Sequence, residues 1–67
     1  MNEDWSKIYT SPDFFKSELV RQFLIDNEVE AVIMNKQGYP YVIGEVEVYV
    51  KPEDSTKALE LIVQNNL

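Results

Sequence analysis

The sequence predicts an α+β domain in which two helices pack on one face of a three-stranded sheet. Residues 45–51 alternate between apolar and polar side chains, the period of two that a half-buried strand requires. Apolar residues in 14–27 recur at three- and four-residue spacing, which is typical of a helix that buries one side. Proline followed by acidic residues at 12–13 and 52–54 predicts two helix starts. The length of 67 residues predicts one domain, residues 1–67.

The first predicted strand covers residues 5–10, a stretch rich in aromatic and β-branched side chains. Regular alternation along this strand places Ile8 on one face and Trp5, Lys7 and Tyr9 on the other. We therefore expect Trp5 and Tyr9 to share one surface of the sheet.

The first helix is predicted to begin at Ser11, Pro12 and Asp13. These residues supply a capping hydroxyl, a proline for the first helical position and an acid near the positive end of the helix dipole. Glu18 and Arg21 have the spacing of an ion pair on the helix surface. The side predicted to face the sheet carries Leu19, Val20, Phe23 and Leu24.

The second strand is predicted at residues 29–34. Val29, Ala31 and Ile33 alternate with a second set that includes Val32 and Met34, so both faces are partly apolar. We expect this strand to be covered more than most.

The third strand has the clearest period of the chain, and a second helix follows it. Val46, Val48 and Val50 are predicted to face the core, and the opposite face carries Glu45, Glu47 and Tyr49. The helix after Pro52 presents Ala58, Leu61 and Ile62 to the core and ends near Asn65.

The order β-α-β-β-α predicts how the strands assemble. A right-handed crossover makes the first two strands parallel, and the third inserts between them in antiparallel sense, giving the order 1-3-2 of a two-layer, ferredoxin-like arrangement. A full ferredoxin-like domain has a fourth strand beside the first, whereas this sequence ends at Leu67. We therefore expect an open edge at the first strand, where another chain could pair.

Composition excludes several classes of function. The chain carries 12 acidic and 6 basic residues, a net charge of -6, and neither histidine nor cysteine. Nucleic acids and anionic membrane surfaces bind clustered lysine and arginine, so neither is an expected partner. The absence of cysteine removes thiolate zinc sites and disulfides, and it fits a reducing compartment. We expect a cytoplasmic protein without metal or cofactor.

Several segments together resemble a known family. The stretch 35–37, Tyr41 and the stretch 43–50 are its most distinctive parts, and the likeness extends to residues 5–9, 18–20, Leu24, Val29 and 57–58. On these residues the chain is similar to the DUF2007 family, described as prokaryotic signal-transducing proteins with a ferredoxin-like fold. The resemblance implies a regulatory role and supplies no catalytic residues. Relatives carry an acid and two serines where this chain has Gly38, Tyr39 and Pro40.

The connection of residues 35–43 is one candidate binding site. It combines two amides, Asn35 and Gln37, with Tyr39 and Tyr41, and it is longer than a tight hairpin requires. Amides donate and accept hydrogen bonds and tyrosines offer a flat apolar face, which suits a small polar ligand or a peptide. In the alternative interpretation Asn35 caps its own turn and the tyrosines cover the hydrophobic edge.

The sheet face opposite the helices is the second candidate. Trp5, Tyr9 and Tyr49 are expected there beside Lys7, with the carboxylates of Glu45 and Glu47 in solvent. Aromatic residues often anchor protein interfaces, so a protein partner or a second copy could cover this face. In the alternative interpretation these residues form only cross-strand pairs, with Lys7 bound to a glutamate.

Catalysis is not predicted. Two glutamates two residues apart are weak evidence for a hydrolase or a metal site when no histidine accompanies them. The sequence therefore predicts a non-enzymatic interaction module that binds a protein partner or itself, through the first-strand edge or the aromatic sheet face. The alternative is a small-ligand sensor with a pocket under the loop of residues 35–43, contacted by Asn35, Gln37 and Tyr41.

Overall fold

The computed structural model describes residues 4–37 and 45–67. The described elements, in chain order, are β1 (Ser6–Ser11), α1 (Phe14–Asp26), β2 (Ala31–Asn35), β3 (Val46–Val50), a 3₁₀ turn (Pro52–Asp54) and α2 (Ser55–Gln64). The sheet order is β1-β3-β2, with β3 antiparallel to both neighbours. The predicted α+β class, the β-α-β-β-α order and the strand order 1-3-2 are confirmed.

One hydrophobic core lies between the sheet and the two helices. Val48 and Val50 of the central strand are fully buried, as the period-two pattern predicted. They pack with residues from both helices, from β2 and from the segment just before β2: Val20, Leu24, Val29, Ala31, Ala58 and Ile62. Because both helices contribute to this cluster, they cover the same face of the sheet, which we call the inner face.

Helix α1 begins later than predicted. The capping residue is Asp13, whose Oδ1 accepts a hydrogen bond of 3.3 Å from the backbone N–H of Lys16. Ser11 Oγ instead accepts from the backbone N–H of Asp13 at 3.0 Å, so it shapes the turn before the helix. Pro12 therefore precedes the cap and does not occupy the first helical position.

The buried side of α1 is narrower than the apolar spacing predicted. Val20 and Leu24 are fully buried together with Ser17, but Leu19 is 68% exposed, so the prediction that it faces the core is wrong. Leu19 follows Glu18, whose carboxylate pairs with Arg21 at 2.8 Å as predicted.

A shift of register in β1 overturns the predicted position of Tyr9. Lys7 lies opposite Tyr49, but Tyr9 lies opposite Val48, so one residue, Ile8, is left over between them. Residues opposite each other in a ladder point to the same side. Tyr9 therefore shares the inner face with Val48 and packs against the core.

Strand β2 is covered on one face only. Ala31 is buried and Ile33 packs against the core, as predicted. Val32 lies on the opposite face, which is partly apolar as predicted, and is 38% exposed. None of the helices described in the structure combines the length and the apolar character needed to cross a bilayer.

Candidate functional site: the outer sheet face

The face of the sheet opposite the helices is formed by alternate residues of three strands. Two cross-strand rows define it: Lys7, Tyr49 and Val32 form one, and Thr10, Glu47 and Met34 form the next. We call this surface the outer face. By alternation and by their contacts it also includes the flanking residues Trp5, Lys36, Glu45 and Lys51.

Glu47 is the central residue of the outer face. It lies in the middle strand and is only 6% exposed, although no helix of the described residues covers this side. Its Oε1 accepts a hydrogen bond of 2.7 Å from Tyr49 Oη and lies 3.4 Å from Lys36 Nζ. Its Oε2 lies 3.5 Å from Lys7 Nζ. The prediction that this carboxylate is solvated is wrong, because three neighbouring side chains surround it.

These contacts change the ionisation of both hydrogen-bonded partners. The hydrogen bond from Tyr49 holds the pKa of Glu47 below its ordinary value; partial burial opposes this effect, and Lys36 and Lys7 add to it. The same hydrogen bond raises the pKa of Tyr49, because losing the phenolic proton would leave two negative charges in contact. The carboxylate is therefore charged and the phenol neutral at physiological pH.

Two further contacts order the ends of the outer face. At one end Thr10 Oγ1 donates a hydrogen bond of 2.7 Å to Glu45 Oε1, and Glu45 is exposed as predicted. At the other, Lys51 Nζ lies 5.7 Å from the centre of the Trp5 ring, within the range of a cation–π contact. The aromatic set expected on this face is therefore reduced to Trp5 and Tyr49, because Tyr9 lies on the inner face.

Lysines are concentrated on the outer face: Lys7 was expected there from the sequence, whereas Lys36 and Lys51 were not. Of the six basic residues, Lys7, Lys36 and Lys51 lie there. They are 29 and 15 residues apart along the chain and therefore look scattered until the strands pair. The available signal for Lys36 was its position two residues after Met34 on the period-two pattern of β2.

The amides of the predicted loop site have partners within the chain. Asn35 Oδ1 accepts a hydrogen bond of 2.8 Å from the backbone N–H of Gln37, the self-capped turn of the alternative interpretation. Gln37 Nε2 donates to the carbonyl oxygen of Pro12, just before α1. Tyr39 and Tyr41 lie outside the described residues, as does the rest of the loop to Ile43.

The carboxylate of Glu47 is committed to its neighbours. Both of its oxygens have intrachain partners, so the cluster organises two lysines and a tyrosine on a rigid central strand.

No group of three or more acidic side chains that could hold a metal ion occurs in residues 4–37 and 45–67. Comparisons with protein families, with curated proteins and with solved structures gave no match to this chain.

Proposed function

We propose that this chain is a non-enzymatic interaction module that binds a protein partner through the outer face. The observation that supports this most is the burial of Glu47, with Tyr49, Lys36 and Lys7 held around it, on the side of the sheet opposite α1 and α2. Side chains that are already ordered lose less conformational entropy when a partner binds. The cluster therefore gives the outer face a fixed pattern of charge and shape.

Apolar groups beside the cluster suit a protein interface. Val32 is 38% exposed, and Met34 and Trp5, which belong to the same face, are half-buried. Aromatic and methionine side chains are enriched at the centres of interfaces, where they contribute much of the binding energy. We infer that Trp5, Val32 and Met34 are the apolar contacts.

Charge indicates the chemistry of the partner. The outer face carries three lysines against Glu45, Glu47 and, by the alternation that also places Lys36 there, Glu30, so its charges balance, whereas the whole chain has a net charge of -6. Lys7 and Lys36 share one carboxylate, and their side chains are 50% and 54% exposed. A partner segment that places a carboxylate near them, beside apolar side chains, fits this pattern.

Two features of the sequence support a regulatory role in the cytoplasm. The resemblance to the DUF2007 family supports the regulatory role, and the lack of cysteine supports a cytoplasmic location. The small-ligand sensor is the less favoured candidate, because the amide oxygen of Asn35 and the amide nitrogen of Gln37 already have partners within the chain.

Affinity capture from native cells tests the proposal with matched variants. We expect Trp5→Ala and Val32→Glu to reduce capture of the partner about tenfold or more, as removal of an interface anchor does. Phe15→Ala and Leu19→Ala are the controls, since these residues are 80% and 68% exposed on α1, in the opposite layer.

Circular dichroism of every variant establishes that the fold is retained. A protein captured equally well by the outer-face variants, and lost with the α1 variants, would place the interaction on the helices and overturn the proposal.

A further inference from the structure

The two edge strands of the sheet differ in how well they resist pairing with another chain. β1 has the features that discourage it: a charged Lys7 and a register shift that leaves Ile8 unpaired. β2 consists of Ala31, Val32, Ile33, Met34 and Asn35, with no charge and no register shift against β3. Among the described residues no strand pairs with the far side of β2.

The hydrogen-bond pattern shows which residues of β2 face this free edge. The backbone N–H of Lys36 donates to the carbonyl oxygen of Glu45 at 3.0 Å. In an antiparallel ladder the residues that bond to one neighbour alternate with those that point away. Met34 and Val32 therefore direct their backbone groups to β3, and Ala31, Ile33 and Asn35 direct theirs to the free edge.

We propose that two copies of this chain pair through β2, antiparallel, with Ile33 of each copy opposite Ile33 of the other. In this register Ala31 faces Asn35 of the second copy, so all three outward-facing residues find backbone partners. A two-fold axis through the Ile33 pair relates the copies, as in a self-complementary dimer.

Charge complementarity selects this register. Glu30 precedes β2 and Lys36 follows it, each three residues from Ile33. Pairing about Ile33 therefore places Glu30 opposite Lys36 of the second copy, at both ends of the interface. Opposite charges across a ladder are favourable and like charges are unfavourable. On the outer face Val32 would lie opposite Met34 of the second copy, which also covers exposed apolar surface.

This dimer goes beyond the proposed function, because edge pairing covers only the Val32 and Met34 margin of the outer face and leaves the part formed by β1 and β3 open. It would join the two sheets into one continuous sheet and present two outer faces side by side.

Light scattering and amide exchange test the dimer in the purified full chain. We expect the molar mass to rise from monomer to dimer over sub-millimolar concentrations. We also expect the Ile33 amide to become protected from exchange as the dimer forms, while the amides of β1 stay unchanged. A monomer at every concentration, or concentration-dependent protection on β1, overturns the inference and leaves the outer-face proposal intact.

Charge exchange tests the register. Glu30→Lys and Lys36→Glu should each weaken the dimer roughly tenfold, since each places like charges together at both ends. The double variant should restore the dimer. Residues 30 and 36 lie roughly 20 Å apart along one strand, so rescue can only come from a contact between copies. The ion pair between Lys36 and Glu47 cannot explain the rescue either, because it is lost in both the Lys36→Glu variant and the double variant. Dimerisation unaffected by either single change would contradict the register.

Discussion

Leu24→Ala is expected to lower the free energy of unfolding by about 2 to 5 kcal/mol, the cost of removing a fully buried leucine and leaving a cavity. A chain of 67 residues has a total stability of roughly 3 to 10 kcal/mol. The change therefore removes a large part of it, because Leu24 joins α1 to the core cluster that both helices share. Urea unfolding followed by circular dichroism measures the effect.

Leu19→Ala is the matched control, the same substitution on the same helix. Leu19 is 68% exposed, so we expect a change within about 0.5 kcal/mol. Equal losses from the two substitutions would mean that α1 is rotated about its axis relative to this structure.

Glu47→Gln is expected to lower the free energy of unfolding at neutral pH. It should also make that free energy depend less on pH in the acid range. The pKa of Glu47 is below its ordinary value of 4.5 in the folded chain, chiefly through the hydrogen bond from Tyr49. The stabilisation is therefore fully present above pH 4.5 and is lost as the pH falls through the lower, folded value. Glutamine keeps the size of the side chain and one hydrogen-bond acceptor, but it cannot form ion pairs with Lys7 and Lys36.

Urea unfolding of both proteins over a pH series gives the comparison. The two curves should be well separated at neutral pH and should converge in acid. Glu60→Gln removes the same charge from an exposed position of α2 and should change the unfolding free energy by about 0.5 kcal/mol or less at neutral pH. If Glu47→Gln is no more destabilising than Glu60→Gln, the cluster does not stabilise the outer face.

Periodicity predicted the layout of this fold most clearly at the central strand, which has a single apolar side. Val46, Val48 and Val50 alternate without interruption, and they are all buried. The helix starts could also be placed to within three residues, although the choice of Asp13 over Ser11 as the cap depends on the path of the preceding turn.

Tyr9 shows where alternation fails. One extra residue in β1, Ile8, moves every later side chain of that strand to the other face. Nothing in residues 5–10 marks the shift, because it arises from how β1 pairs with β3. An aromatic residue expected on the binding surface therefore belongs to the core.

Glu47 shows a second limit. The sequence predicts that Glu47 lies on the outer face with its carboxylate in solvent. The side chain does lie on that face. Its burial comes from Lys7, Lys36 and Tyr49, which meet only after three strands have paired. Alternation thus placed Glu47 and Lys7 on the same side of the sheet, but the convergence of Lys36 and Lys7 on one carboxylate could not be predicted from single segments.

Lysine reactivity in the captured complex tests most directly whether the outer face binds the partner. Acetylation of the free chain and of the complex, read by mass spectrometry, compares Lys7, Lys36 and Lys51 with Lys16 and Lys57, which are exposed on the helices. We expect the three outer-face lysines to become protected in the complex and the two helix lysines to remain reactive. Protection of Lys16 and Lys57, with Lys7 and Lys36 still reactive, would contradict binding at the outer face.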